Sequence, residues 1–178
     1  NSGKSTLLNR LSNAAAIVAP HPFSTQEAVL GVVEWKGKRF TMIDLPPLIK
    51  DAHSGRGLGN SFLRHAERAA MIMYVLDAEG DEWIAQYRTL VGELTAYSSA
   101  LGTKPSVILV NRKEAKDTEI ATNPGHAALQ NEAGTRALMI SAETGEGEEQ
   151  ILDAAADAVP FTEGKRLNSQ KGASEEAF

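Results

Sequence analysis

The chain has 178 residues, a formal net charge of −5 and no cysteine, with 42% hydrophobic and 23% charged residues. That composition sustains one sizeable globular core and excludes disulfides and thiolate metal sites. No run of about 18 apolar residues is present, the start lacks a secretory pattern, and the acidic balance opposes strong sequence-independent nucleic-acid binding, so neither a membrane nor DNA is expected as a partner.

Asn1-Ser2-Gly3-Lys4-Ser5-Thr6 runs directly into Leu7, Leu8 and Leu11, which predicts a phosphate-binding loop opening a helix over 4–11. A glycine-rich turn at a helix N-terminus aims several N–H groups at one anion, and a lysine there reaches the outer phosphates of a nucleotide. Asn1, Ser2, Gly3, Lys4, Ser5 and Thr6 therefore form the candidate phosphate site, with the Ser5 hydroxyl placed to hold Mg2+. The first glycine of the G-x-x-x-x-G-K-[ST] pattern would fall before residue 1.

A polar loop is expected up to about residue 28, then strands over 29–35 and 38–43 joined as a hairpin at Lys36-Gly37 and closed by Asp44. Residues 45–59 carry too much Pro and Gly for regular structure, and helical spacing returns over 61–69. Buried strands are predicted over 71–76, 107–110 and 137–140, running into Asp77, Asn111 and Ser141. Residues 82–101 read as one long amphipathic helix and 146–159 as the closing helix. Residues 161–178 are polar and aperiodic and are expected to form a mobile tail after a domain spanning 1–160. Helices alternating with strands predict an α/β fold with a mostly parallel sheet.

Such a fold places ligands at the carboxyl ends of its strands. Asp44 is there the candidate Mg2+ carboxylate, and the Thr25 hydroxyl is a candidate for the same ion. Ser141-Ala142 can offer N–H groups to a base, and Asn111 can tie the base loop to the phosphate loop. A loop threonine or a strand-end aspartate means little alone; their order after Lys4 carries the reading. Trp83, Tyr87 and Tyr97 at helical spacing are expected to face the core rather than stack on nucleic acid. His53 and His65 have no carboxylate at a telling spacing, while Arg56, Arg64 and Arg68 form a candidate basic face for RNA or protein.

In order and spacing, the residues resemble the GTPase domain of the Obg family, ribosome-assembly GTPases of the phosphate-loop class. The match runs through Asn1 to Leu8, Pro22-Phe23-Ser24-Thr25, Leu30-Gly31-Val32-Val33 and Asp44-Leu45-Pro46. Its most specific part is Leu48-Ile49-Lys50-Asp51-Ala52-His53-Ser54-Gly55-Arg56-Gly57-Leu58-Gly59, followed by Phe62-Leu63-Arg64-His65-Ala66-Glu67-Arg68. The resemblance covers about 1–159. It implies a G domain with helices on both faces of the sheet and a first strand ahead of the phosphate loop, so that the chain is expected to be a fragment of a longer protein. It further implies GTP or GDP as ligand, Mg2+ as cofactor, and a large ribosomal subunit precursor, both rRNA and ribosomal proteins, as partner. The expected setting is the bacterial cytoplasm or the mitochondrial matrix, associated with the ribosome.

Two departures qualify that picture, and one trait shared with the family, Leu48, bears on catalysis. Where the family has Asp-x-Pro-Gly, the chain has Asp44-Leu45-Pro46-Pro47, and proline has no N–H to offer a γ-phosphate. Where the family reads guanine with Asn-Lys-x-Asp, the chain has Asn111-Arg112-Lys113-Glu114. Arg112 can stack in place of the lysine, and Glu114 keeps the charge about 1.5 Å farther out. An Asn-x-x-Glu string also resembles the YchF-type ATPases. Leu48 stands where other small GTPases orient the attacking water, so no catalytic side chain is assigned and hydrolysis is expected to be slow. Asn1 matches an asparagine that ligates K+ in related GTPases, which makes K+ a second candidate ion. The readings are a slow GTPase, a degenerate nucleotide-binding assembly factor, and a YchF-like ATPase.

Overall fold

A computed structural model describes residues 2–12, 17–19, 28–45, 66–79, 82–112 and 124–159. Helix α1 (Lys4–Leu11) turns Leu7, Leu8 and Leu11 inward, as their spacing requires. Strands β1 (Ile17–Ala19), β2 (Ala28–Trp35) and β3 (Lys38–Asp44) form an antiparallel meander. Lys36 and Gly37, with φ of 48° and 79°, make the mirror-image turn whose twist suits a two-residue hairpin. Beyond them lie β4 (Ile72–Asp77), helices α2 (Trp83–Tyr97) and α3 (Ser99–Gly102), β5 (Ser106–Asn111), α4 (Pro124–Ala133), β6 (Ala137–Ile140) and α5 (Glu148–Ala158).

Strands β4, β5 and β6 lie side by side and parallel, with Asp77 opposite Asn111 and Asn111 opposite Ile140. Alternate residues of these strands enter different cores, as the two-residue repeat of a strand dictates. Tyr74, Leu76, Ile108 and Val110 pack with Trp83, Leu94, Leu101 and Leu129. Val107, Leu109 and Ile140 pack with Leu7 and Leu11 of α1 and Ile151 and Leu152 of α5. Helices therefore cover both faces, and Val107 to Val110 form an unbroken buried run.

Among the described residues the two ladders are not joined: β3 pairs with β2 and β4 with β5. A cleft of about 430 Å³ runs between β3 and β4, lined by Met42, Met73 and Val75 among others, with Leu7, Leu8 and Ala155 along its walls. The hairpin tip is anchored on α5. Trp35 Nε1 donates to Asp153 Oδ1 at 2.7 Å, Lys36 Nζ reaches the same oxygen at 2.5 Å, and Lys38 Nζ donates to the carbonyls of Ala156 and Val159.

Three elements differ from the sequence expectations. The helix expected over 82–101 is broken at Ser98, whose extended backbone (φ −150°, ψ 123°) ends α2 and starts α3. Leu94 and Leu101 stay buried on one side across that break, so periodicity carries no trace of it. Helix α4 was not expected, because Leu129 is its one fully buried residue and an amphipathic repeat is lacking. Strand β1 lies in a stretch read as loop; it is set by backbone pairing of Ile17 with Leu30 and Ala19 with Ala28, which no side-chain alternation announces.

Trp83 is 4% exposed, and Tyr87 and Tyr97 pack against the same core, as their spacing indicated. Among the described residues no helix is long and apolar enough to cross a membrane. The tail over 161–178 lies outside the described residues, as do His53, Arg56, Arg64 and His65.

Candidate functional site

The site is assembled at the carboxyl ends of β3, β5 and β6 and the N-terminus of α1. The first N–H···O bond of α1 runs from Leu7 to the Gly3 carbonyl at 2.9 Å, so the amides of Lys4, Ser5 and Thr6 have no acceptor within the helix. Gly3 has a φ of 86°, and a Cβ there would overlap the Asn111 amide. Only glycine satisfies both demands, which is why the loop can turn so tightly into the helix.

The Ser5 hydroxyl donates to Asp44 Oδ2 at 2.5 Å, joining the phosphate loop to the end of β3. The other carboxylate oxygen, Oδ1, is buried and has no hydrogen-bond partner among the described residues. A buried anionic oxygen left this way has a large desolvation cost unless a cation or water completes it. The pair thus fits Mg2+, a hard cation that takes few protein oxygens and completes its octahedron with phosphate and water. Among the described residues no cluster of three His, Cys, Asp or Glu could hold a metal, so a cage made wholly of protein ligands is not formed there.

Asn111, at the end of β5, makes the central connection. Its Nδ2 donates to the Ser2 carbonyl at 2.9 Å, and its Oδ1 accepts from the Ala142 amide at 2.8 Å. One side chain therefore holds the phosphate loop and the loop after β6 in fixed relation. That second loop is a closed turn: the Ser141 amide donates to the Glu146 carbonyl at 3.0 Å and the Gly145 amide to the Ser141 carbonyl at 2.9 Å. Ser141 is 1% exposed, and its Oγ accepts from the Thr144 amide at 3.2 Å.

The guanidinium of Arg112 forms an ion pair with Glu146. It therefore bridges the end of β5 to the Ser141–Glu146 turn. Lys4 is half-buried at the edge of the cleft that also reaches Asp44. Asn1, Thr25, Pro47, Leu48, Lys113 and Glu114 lie outside the described residues. Arg10 and Glu146 were not foreseen as parts of this region. Arg10 contacts residues 133 and 134 positions away, a relation with no local sequence signal.

Residues 1–112 match the family model described as 50S ribosome-binding GTPase. The chain is 40% identical over 157 residues to GTPase Obg of Dehalococcoides mccartyi, covering 88% of this chain and 37% of that protein. It is 38% identical over 153 residues to GTPase Obg of Rhizorhabdus wittichii, covering 86% of this chain and 44% of the relative. The chain thus spans less than half the length of these curated relatives. Among solved structures, Era with MgGDPNP and nucleotides 1506–1542 of 16S ribosomal RNA superposes with a TM-score of 0.70 at 20% identity, over 92% of this chain and 55% of that one. The G domain of the T. maritima FeoB iron transporter gives 0.64 at 23% identity, over 89% and 92%. At those identities the likeness concerns the fold.

Proposed function

Since the chain belongs to the 50S ribosome-binding GTPase family, as a G domain of the Obg type, we propose that it binds guanine nucleotide with Mg2+, hydrolyses GTP slowly and serves in large ribosomal subunit assembly. The observation that carries this reading is Asn111, whose amide joins the phosphate loop at Ser2 to the base-facing turn at Ala142. In this reading the amides of Gly3 to Thr6 and the Lys4 ammonium hold the phosphates, helped by Asn1 and Ser2. Asn111, Arg112, Glu114, Ser141 and Ala142 surround the base. Ser5, Asp44 and Thr25 would hold the metal, which would neutralise phosphate charge.

Calorimetric titration with GDP and with ADP, each with and without Mg2+, tests the ligand. Tighter GDP binding supports the proposal; tighter ADP binding would instead favour the YchF-like ATPase that the Glu114 position raises. Single-turnover GTP hydrolysis with and without large-subunit particles tests the activity, and repeating it in K+ and Na+ tests the role given to Asn1. The relatives named above are bacterial, which favours the bacterial cytoplasm over the mitochondrial matrix.

Pro47 supports a second reading, in which the domain binds nucleotide as a structural assembly factor with little switching. A lost hydrogen bond to the γ-phosphate is worth about 1.5–3 kcal/mol, or roughly ten- to a hundredfold in preference for GTP over GDP. Pro47→Gly should restore that preference, and an unchanged GTP/GDP affinity ratio would remove this reading.

A further inference from the structure

We infer that Arg10 is a positioning residue for base recognition, clamping the base-facing turn to the helix that starts at the phosphate site; this rests on the nucleotide-binding reading above. Its Nη1 donates to the Glu143 carbonyl at 3.1 Å and its Nη2 to the Thr144 carbonyl at 2.9 Å. Its Nε lies 3.4 Å from Glu148 Oε2 at the start of α5. Three donors of one planar group thus fix two successive carbonyls and the helix that follows them. A lysine, with a single point of charge, cannot span the same set.

The turn is built to receive that group. Gly145 has a φ of 89°, and a Cβ there would overlap the Arg10 guanidinium, so the glycine provides both the backbone conformation and the space. Other supports lie elsewhere on the turn: Asn111 holds Ala142, and Arg112 pairs with Glu146. Glu143 and Thr144 are held by Arg10 from the side of α1. Arg10 sits six residues beyond Lys4, about 9 Å along the helix, too far to act on the phosphates directly. Its effect must therefore appear in base preference and not in the phosphate grip.

The test compares Arg10→Met and Arg10→Lys with the wild-type protein, using GDP, ADP and inorganic triphosphate as separate probes. Arg10→Met should weaken GDP about tenfold and lower the GDP/ADP affinity ratio equally, with triphosphate changed by less than about twofold; Arg10→Lys should fall between. An unchanged ratio in both variants, or equal losses for all three probes, overturns the clamp. Amide exchange in the nucleotide-free protein gives an independent reading, since Thr144, Gly145 and Glu146 should exchange faster in both variants. Unchanged exchange overturns the clamp whatever ligand binds. A wild-type protein that prefers ADP to GDP, but whose exchange responds as stated, overturns the guanine reading and keeps the clamp. If Arg10→Met does not fold, the Arg10→Lys ratio and exchange decide alone.

Discussion

The hydroxyl of Ser5 and the carboxylate of Asp44 meet at 2.5 Å although 39 positions separate them in the chain. The contact joins the first turn of α1 to the last residue of β3, and it leaves Asp44 Oδ1 buried without a partner among the described residues. Asp44→Asn removes the charge that would draw a cation to that oxygen. The wild-type protein should bind GDP at least about tenfold more tightly in Mg2+ than in EDTA, because hydrogen bonds and contacts to charged groups are worth about 1.5–3 kcal/mol. In Asp44→Asn that ratio should fall close to one. Fluorescent-nucleotide titration measures it, and a retained Mg2+ dependence would remove Asp44 from the metal site.

Asn111→Ala unties the phosphate loop from the turn after β6. The Ala142 amide then loses its acceptor and Ser2 its donor, at a cost of about 1–3 kcal/mol. Thermal unfolding should register a lower midpoint, and GDP affinity should fall further than stability alone would require. Asn111→Asp keeps an acceptor for Ala142 but sets a carboxylate oxygen against the Ser2 carbonyl, so it should be no more stable than Asn111→Ala. An Asn111→Asp variant as stable as the wild-type protein would show that the Ser2 bond contributes nothing.

Leu109 is fully buried in the central parallel strand. Leu109→Ala should cost about 2–5 kcal/mol, against a whole-domain stability of roughly 5–15. Urea unfolding should show a lower midpoint at unchanged slope. A loss under about 1 kcal/mol would mean that the neighbouring side chains close the cavity.

Among the described residues, the cleft between β3 and β4 offers two strand edges and an apolar lining. An extended apolar segment of five or six residues joined ahead of Asn1 is expected to enter it. The buried side chains, together with ladder hydrogen bonds to both strand edges, should outweigh the entropy of ordering the segment and raise the melting temperature. A scrambled polar segment of equal length is the control, and an equal effect from it would count against strand insertion.

Burial, and then the neighbouring Tyr87, push the Tyr74 hydroxyl from its ordinary value of 10.0 up to about 12. The two rings meet edge to face at 5.3 Å. In the unfolded chain Tyr74 loses its proton near 10, while the folded protein retains it to about 12. Stability from this group is therefore complete below pH 10 and declines as pH rises towards 12. Tyr74→Phe should flatten that part of the pH–stability curve, and a curve of unchanged slope would contradict the assignment.

Much of the framework around the candidate site was legible in the sequence. Gly3-Lys4-Ser5 declares its own helix start because anion binding by backbone amides demands those residue types at that spacing. The buried strands ending at Asp77, Asn111 and Ser141 were visible as apolar runs, since a parallel sheet covered on both faces must be apolar on both. Helix α4 and strand β1 escaped for the opposite reason: their stability comes from backbone bonds and a few contacts, and not from a repeating side-chain pattern. The break at Ser98 escaped because the buried side remains in phase across it.

Local spacing therefore carried the order of the elements, the family resemblance and the identity of the phosphate and metal candidates, because each is encoded within a few neighbouring residues. Folding alone decided which distant groups meet. Asn111 reaching both Ser2 and Ala142, Arg112 pairing with Glu146 and Arg10 spanning Glu143 and Thr144 all depend on strand register and helix orientation. Those contacts link residues more than thirty positions apart, and their partners become neighbours only when α1, β5 and β6 pack around the shared core of Leu7, Leu109 and Ile140.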